Sequence, residues 1–182
     1  MTEDKSVDFN FFLEQLISAT AKIESRYFNF PVAGAENSIY RERVYCYELY
    51  HQLRCILGNA IPYTLHGEVD KRGNLDIPPE LQGTKPDFII HVPGTKKNLV
   101  VIEVKQTNND NNKIKEDIDK FKKFLNYGYY RAIMLIYGDN ESKVKYARSE
   151  IDSLSEYSEC ILLLWHKEYF KPAEEYKNVR PA

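Results

Sequence analysis

Two runs of β-branched and aliphatic residues, over 87–92 and 99–105, flank the turn-rich stretch Pro93-Gly94-Thr95-Lys96-Lys97-Asn98. Strand, short turn and second strand make a hairpin, and few other patterns fix a chain's path so narrowly. If Gly94-Thr95-Lys96 is a three-residue loop, Pro93 pairs with Lys97 and paired positions sum to 190. His91 then faces Leu99, Ile89 faces Val101, and Asp87 faces Glu103. Opposed residues share a face, and side chains alternate along a strand, so Lys105 projects beside Glu103. Three charges meet at one end of an otherwise apolar hairpin. A slip of one residue would scatter them over both faces.

Such charges cost several kcal/mol each to bury unless they are paired or hold a metal. Two opposed carboxylates repel, and a divalent cation relieves that repulsion. Hard Mg²⁺ or Mn²⁺ favours oxygen ligands of this kind. The rival account is a structural salt-bridge cluster in an unrelated α/β protein. A fourth carboxylate favours a site. Over 38–57, Cys46, Leu49, Leu53, Ile56 and Leu57 form an apolar stripe at helical spacing, continued by Ala60, and Glu42 falls within it. Glu48 falls on the opposite side beside Gln52, as a solvated helix carboxylate would, but either glutamate is open as the helical acid.

Around this hairpin the periodicity predicts helices over 7–27 and 38–57, the latter capped by Asn37 or Ser38 and stopped by Gly58. A first strand is expected over 63–69, with a turn at 70–74 and a loop from Pro78 to Gly83. Beyond the hairpin come a helix over 113–126, a strand over 131–137, a helix over 141–157 and a strand over 160–165. Strands without polar alternation read as covered on both faces, so the expected fold is a mixed central sheet flanked by helices. No linker or repeat divides the 182 residues, and a single domain is expected.

Composition excludes whole classes. Apolar residues make up 43% and charged residues 29%, the balance of a chain that buries a core. With 25 Lys+Arg against 27 Asp+Glu, the net charge is −2, too low for a purely electrostatic nucleic-acid coat. Apolar runs reach six residues, far short of a membrane span of ~20. The acidic start lacks a signal-peptide core, and three cysteines without a Cys-x-x-Cys read as cytoplasmic thiols. His51, His66, His91 and His166 have no zinc spacing and read as surface or half-buried residues. No phosphate-loop motif is present.

Pro86-Asp87, fifteen residues, then Glu103-Val104-Lys105, with an acidic helix before and a helix and strand after, resembles the PD-(D/E)xK nuclease superfamily. The resemblance covers about 38–165 and implies a restriction-endonuclease-like αβββαβ core, with an extra N-terminal helix outside it. It implies that Asp87 and Glu103 ligate Mg²⁺ (Mn²⁺ as substitute), with the Val104 carbonyl as a further ligand. Glu42 corresponds to the helical acid, so Asp87, Glu103, Lys105 and Glu42 form the implied catalytic set. Lys105 would orient or help deprotonate the attacking water and stabilise the transition state. Because a free lysine titrates near ~10.4, the electrostatic role asks less of it.

The implied activity is metal-dependent hydrolysis of phosphodiester bonds in DNA, with specificity borrowed from a second copy or a partner subunit. A catalytically silent subunit that binds nucleic acid or assembles with a partner is the alternative. Lys113, Lys120 and Lys123 after the motif are candidate backbone contacts, alongside Lys115 and Lys122, although a solvated helix face looks the same. Tyr127, with Tyr129 and Tyr130, is a candidate base-stacking group, although packing at a helix–strand joint is commoner. Glu68 and Asp70, beside Lys71-Arg72, could edge the site, although a turn of mixed charge is the commoner reading.

Overall fold

Packing decides where the predicted periodicities become structure. The computed structural model describes residues 5–58, 60–68, 81 and 83–177. Helix α1 (Lys5–Thr20) buries Phe9, Phe12, Leu16 and Ala19. It stops seven residues short of the expected end. The Thr20 hydroxyl turns back onto the Ile17 carbonyl (2.6 Å) and accepts from the Ala173 N–H (2.8 Å). Ile23 is therefore buried from a turn, and a single turn, α2 (Ser25–Phe28), follows.

Helix α3 (Glu42–Leu57) begins four residues later than expected. Ile39 is held extended by an antiparallel bridge, in which Phe30 N–H and Ile39 N–H bond each other's carbonyls at 2.7 and 2.9 Å. Neither Asn37 nor Ser38 caps the helix: Arg41 occupies the cap position without a side-chain bond. At the other end Gly58 adopts φ +48, as its role as a stop requires. The buried stripe is Tyr45, Cys46, Leu49, Leu53 and Leu57.

The strands β1 (Thr64–Gly67), β2 (Phe88–His91), β3 (Asn98–Gln106), β4 (Arg131–Tyr137), β5 (Ile161–His166) and β6 (Glu174–Glu175) form one six-stranded sheet in chain order. β1, β2 and β3 pair antiparallel, β3, β4 and β5 parallel, and β6 antiparallel to β5. The parallel steps are bridged by α4 (Asn111–Asn126) and by α5 (Glu141–Ser153) with a 3₁₀ turn (Ser155–Cys160), since parallel neighbours need a crossover. The 3₁₀ turn replaces the last turn expected of α5. Asp110 and Asn140 cap the two helices by accepting from the N–H of Asn112 and Ser142. β6 has no counterpart among the expected strands.

One core layer joins α1 and α3 to Ile90, Val100, Ile102, Val104, Ile133 and Leu135. The other joins α4 and α5 to Ile89, Val101, Ala132, Met134, Ile136 and Leu163. β4 is accordingly buried throughout from Ala132 to Tyr137. The sum of 190 holds for Phe88↔Ile102, Ile89↔Val101 and Ile90↔Val100. A bulge then moves His91 onto Asn98 instead of Leu99, and Val92 N–H bonds the Lys97 carbonyl at 2.9 Å. The loop is thus Pro93–Lys96, one residue longer than expected. The turn expected at 70–74 and most of the loop before Gly83 lie outside the described residues. Among the described residues, no helix is long and apolar enough to cross a membrane.

Candidate functional site

β2 starts at Phe88, opposite Ile102, so β3 runs on past its neighbour and its last four residues pair only with β4. That open edge organises the site. Asp87 stands where the ladder would continue, and its Oδ2 accepts from the Val104 N–H at 2.7 Å in place of a strand carbonyl. Glu103 and Lys105 alternate with Val104 and share the sheet face that α4 covers. Both are buried, at 3% and 8% exposure.

Lys105 Nζ donates to Asp117 Oδ2 (2.8 Å), to the Val104 carbonyl (3.0 Å) and to Glu42 Oε1 (3.2 Å). Glu42, the first residue of α3, accepts from Asn109 Nδ2 at 2.9 Å through its other oxygen. Asp117 also pairs with Lys120. Glu103 Oε1 has no hydrogen-bond partner among the described residues. Four carboxyl groups thus surround two ammonium groups.

Electrostatics follow from that imbalance. Burial, then the charges of Asp117 and Asp87, push the Glu103 carboxyl well above its ordinary range. Burial raises Asp87 to about 6, against the opposing pull of Lys105 and the Val104 N–H. Burial works to lower Lys105, but Asp117, Glu42 and Asp87 outweigh it and hold the ammonium above its ordinary value. A lysine held so firmly charged is a poor base. Deprotonation of a water by Lys105 does not fit. Cys46 lies beneath the site with its thiol pushed up by burial and by the Asp87 and Glu42 charges, which makes it no nucleophile.

A cleft of about 220 Å³ opens over this end of the sheet, lined by Glu42, Arg43, Cys46, Glu68, Lys85 and Asp87. Glu68 lines this cleft and pairs with Arg43 at 3.3 Å; Asp70 lies outside the described residues. Glu48 stays on the far side of α3, accepting from Gln52 at 2.6 Å, which leaves Glu42 as the helical acid. The all-oxygen donors Asp87 and Glu103, one with an orphaned buried oxygen, suit a hard divalent cation. The Val104 carbonyl, by contrast, is taken up by Lys105. Among the described residues no group of three or more His, Cys, Asp or Glu could hold a metal ion.

No family model matches the chain, and no curated protein matches it. The geometry alone has to carry the functional reading.

The expected nucleic-acid contacts divide. Lys120 joins the site through Asp117, while Lys113 and Lys123 are exposed on α4. Tyr127 lies ten residues beyond Asp117, about 15 Å along the helix axis, and is not brought to the site. Tyr129 is buried edge-on against Phe124. Tyr130 packs between the Phe9 ring and the Arg131 guanidinium. These two are packing residues. Lys115 and Lys122 pair with Glu150 and Asp119.

Asp117 and Asn109 were not expected in the site. Asp117 had a readable signal: it falls three after Ile114 and four before Phe121, inside the buried stripe of α4. Asn109 had none. His166 is another correction. It is fully buried, shares a 2.7 Å hydrogen bond with the Tyr45 hydroxyl, and is lowered to about 4 by burial.

Proposed function

We propose that this chain is a metal-dependent nuclease of the PD-(D/E)xK type that hydrolyses phosphodiester bonds in DNA. The observation that carries the reading is the gathering of Asp87, Glu103, Lys105 and Glu42 at the uncovered end of β3. The order α3, β1, β2, β3, α4, β4 supports a restriction-endonuclease-like core, with α1 outside it. Asp87 and Glu103 would hold Mg²⁺, with Mn²⁺ as a substitute. When bound, the ion polarises the phosphodiester and lowers the pKa of its water.

The protein's own groups do the rest. Asp87 fixes the edge of β3 through the Val104 N–H. Glu42 and Asp117 hold Lys105 as an ammonium, pointed at charge that develops on the phosphate. Arg43 and Lys85 on the cleft wall would meet substrate phosphates, Arg43 at the expense of its pair with Glu68. A second copy or a partner subunit would supply sequence specificity.

One observation favours the second reading, a silent subunit that binds nucleic acid or assembles with a partner. Lys105 already has three acceptors within 3.2 Å, which is the arrangement of a structural ion pair. Cleavage of plasmid and oligonucleotide DNA in Mg²⁺, in Mn²⁺ and in EDTA separates the two. Metal-dependent cleavage that vanishes in Asp87→Asn is expected of the nuclease. Binding without cleavage in either metal would replace it with the silent subunit.

A further inference from the structure

Beside the polar cleft lies a second, mostly apolar cavity of about 290 Å³, between α3 and the β1–β2 ladder. The two share Cys46, Glu68 and Asp87 as lining residues, so the cavities adjoin. Its walls are aromatic. Tyr47 is 62% exposed on α3, and Tyr50 lies nearly parallel to Phe88, with ring centroids 6.3 Å apart at 22°. Gly67 keeps the floor low: a Cβ there would touch the Asp87 carbonyl, the Phe88 ring and the Tyr50 ring at 3.5–3.7 Å. At the rim Glu68 is held in the left-handed region, φ +46, with its N–H on the Asp87 carbonyl at 3.1 Å. A non-glycine residue in that region costs free energy and tends to mark a functional edge.

We infer that this cavity takes an unpaired nucleobase, stacked on Tyr47 and Tyr50, of a strand whose backbone lies in the polar cleft beside Asp87. The inference rests on the nuclease reading for the direction of the strand and adds its substrate class, single-stranded or frayed DNA. Three features argue for this occupant. The volume is at the lower end of the roughly 300–1,000 Å³ typical of ligand pockets, which suits a flat ring and not a folded partner. Flat aromatic walls favour a π-face, and stacking of this kind tolerates any base. The cations Arg43, paired with Glu68, and Lys85 line the adjoining cleft together with the Glu42 and Asp87 carboxylates, and are the groups there that a strand's backbone phosphates can meet. A base still paired in a duplex could not enter without leaving its stack.

The test is binding in EDTA, where no cleavage intervenes, of a 12-nucleotide single-stranded DNA with 2-aminopurine at its centre. The same sequence as a perfect duplex serves for comparison. Tighter binding of the single strand is expected, with 2-aminopurine fluorescence quenched on binding. Tyr47→Ala, at an exposed position, should weaken single-strand binding about ten-fold or more and abolish the quench. Tyr47→Phe should keep both, and duplex binding should not respond to either change. Equal affinity of wild type and Tyr47→Ala for the single strand, or preference for the duplex, would overturn the inference. The nuclease reading fails separately: Tyr47-dependent binding with no cleavage in Mg²⁺ or Mn²⁺ sinks that reading and leaves the base site standing.

Discussion

Removing the Lys105 ammonium leaves Asp117, 4% exposed, near Glu42 and Glu103 with one of its two cations, Lys120, still paired to it. Breaking a buried pair from one side costs about 3–5 kcal/mol, far more than a surface pair is worth. Lys105→Met should therefore lower stability by up to about that amount, less whatever the remaining Lys120 pair compensates, although at a strand end it opens no cavity. Asp117→Asn in the same chain should recover much of the loss, and a double-mutant cycle by urea unfolding measures the coupling. Additive losses would mean that the two groups do not interact. Glu103 makes the opposite case. Its carboxyl is crowded by Asp117 and Asp87 and one oxygen is orphaned, so charge there is a burden without a cation. Ten-fold excess of Mg²⁺ over its Kd should add about 1.4 kcal/mol. That raises the Tm by a few degrees for a chain of this size. Glu103→Gln should remove the response and, in EDTA, melt no lower than wild type. An unchanged wild-type Tm in saturating metal would remove the metal from the site.

The loop after β3 joins two elements through one glycine. Gly138, at φ +116, follows β4 and lies against the Thr107 side chain, and the Tyr40 ring is 3.2 Å from where a Cβ would stand. Its N–H bonds the His166 carbonyl at 3.0 Å and its carbonyl accepts from Trp165 Nε1 at 2.7 Å, so it cannot retreat. Gly138→Ala should cost about 2 kcal/mol or more, and the displaced Thr107 should carry Asn109 away from Glu42. Thermal melting and cleavage rate should fall together. The same scale explains what the sequence revealed. β4 was legible to the residue because an apolar run between Arg131 and Gly138 has one reading. The hairpin register was legible from Phe88 to Ile90, because Ile89, Ile90, Val100 and Val101 allow no slip without turning the core outward, but the bulge at His91 was not. The start of α3 was hidden, because the bridge from Phe30 to Ile39 is a long-range bond that no local pattern records. β6 was hidden for the same reason: two glutamates carry no strand signal, and only β5 gives them one. Asp87, Glu103, Lys105 and Glu42 came from spacing, whereas Asn109 came from the loop's path.

Across the whole molecule two buried groups titrate in opposite senses over nearly the same pH range. His166, packed against Phe28 and Tyr45 on the α1–α3 side of the sheet, falls from 6.5 to about 4 on folding. The unfolded chain therefore takes up a proton that the folded chain refuses, and stability is lost as pH drops from 6.5 to 4. Asp87 rises from 3.8 to about 6. The folded chain holds a proton that the unfolded chain has released, so stability is gained as pH drops from 6 to 3.8, and raised Glu103 adds to the gain. Each of these two changes on folding amounts to about 3 kcal/mol. In EDTA these two contributions offset each other in the wild-type profile between pH 4 and 6.5. Asp87→Asn keeps an oxygen that can accept from Val104 N–H but has no proton to hold. Relative to wild type it should gain up to about 3 kcal/mol above pH 6 and nothing below pH 3.8. Its own stability should then fall on acidification relative to the wild-type profile, because His166 is opposed there by Glu103 without Asp87. His166→Gln carries a constant packing loss, but its pH slope should take the opposite sign to that of Asp87→Asn. Denaturant unfolding of the three proteins from pH 4 to 8 reads both slopes directly. Parallel profiles for wild type and Asp87→Asn would mean that Asp87 titrates as an ordinary carboxyl, and the dry, crowded site described at the end of β3 would have to be given up.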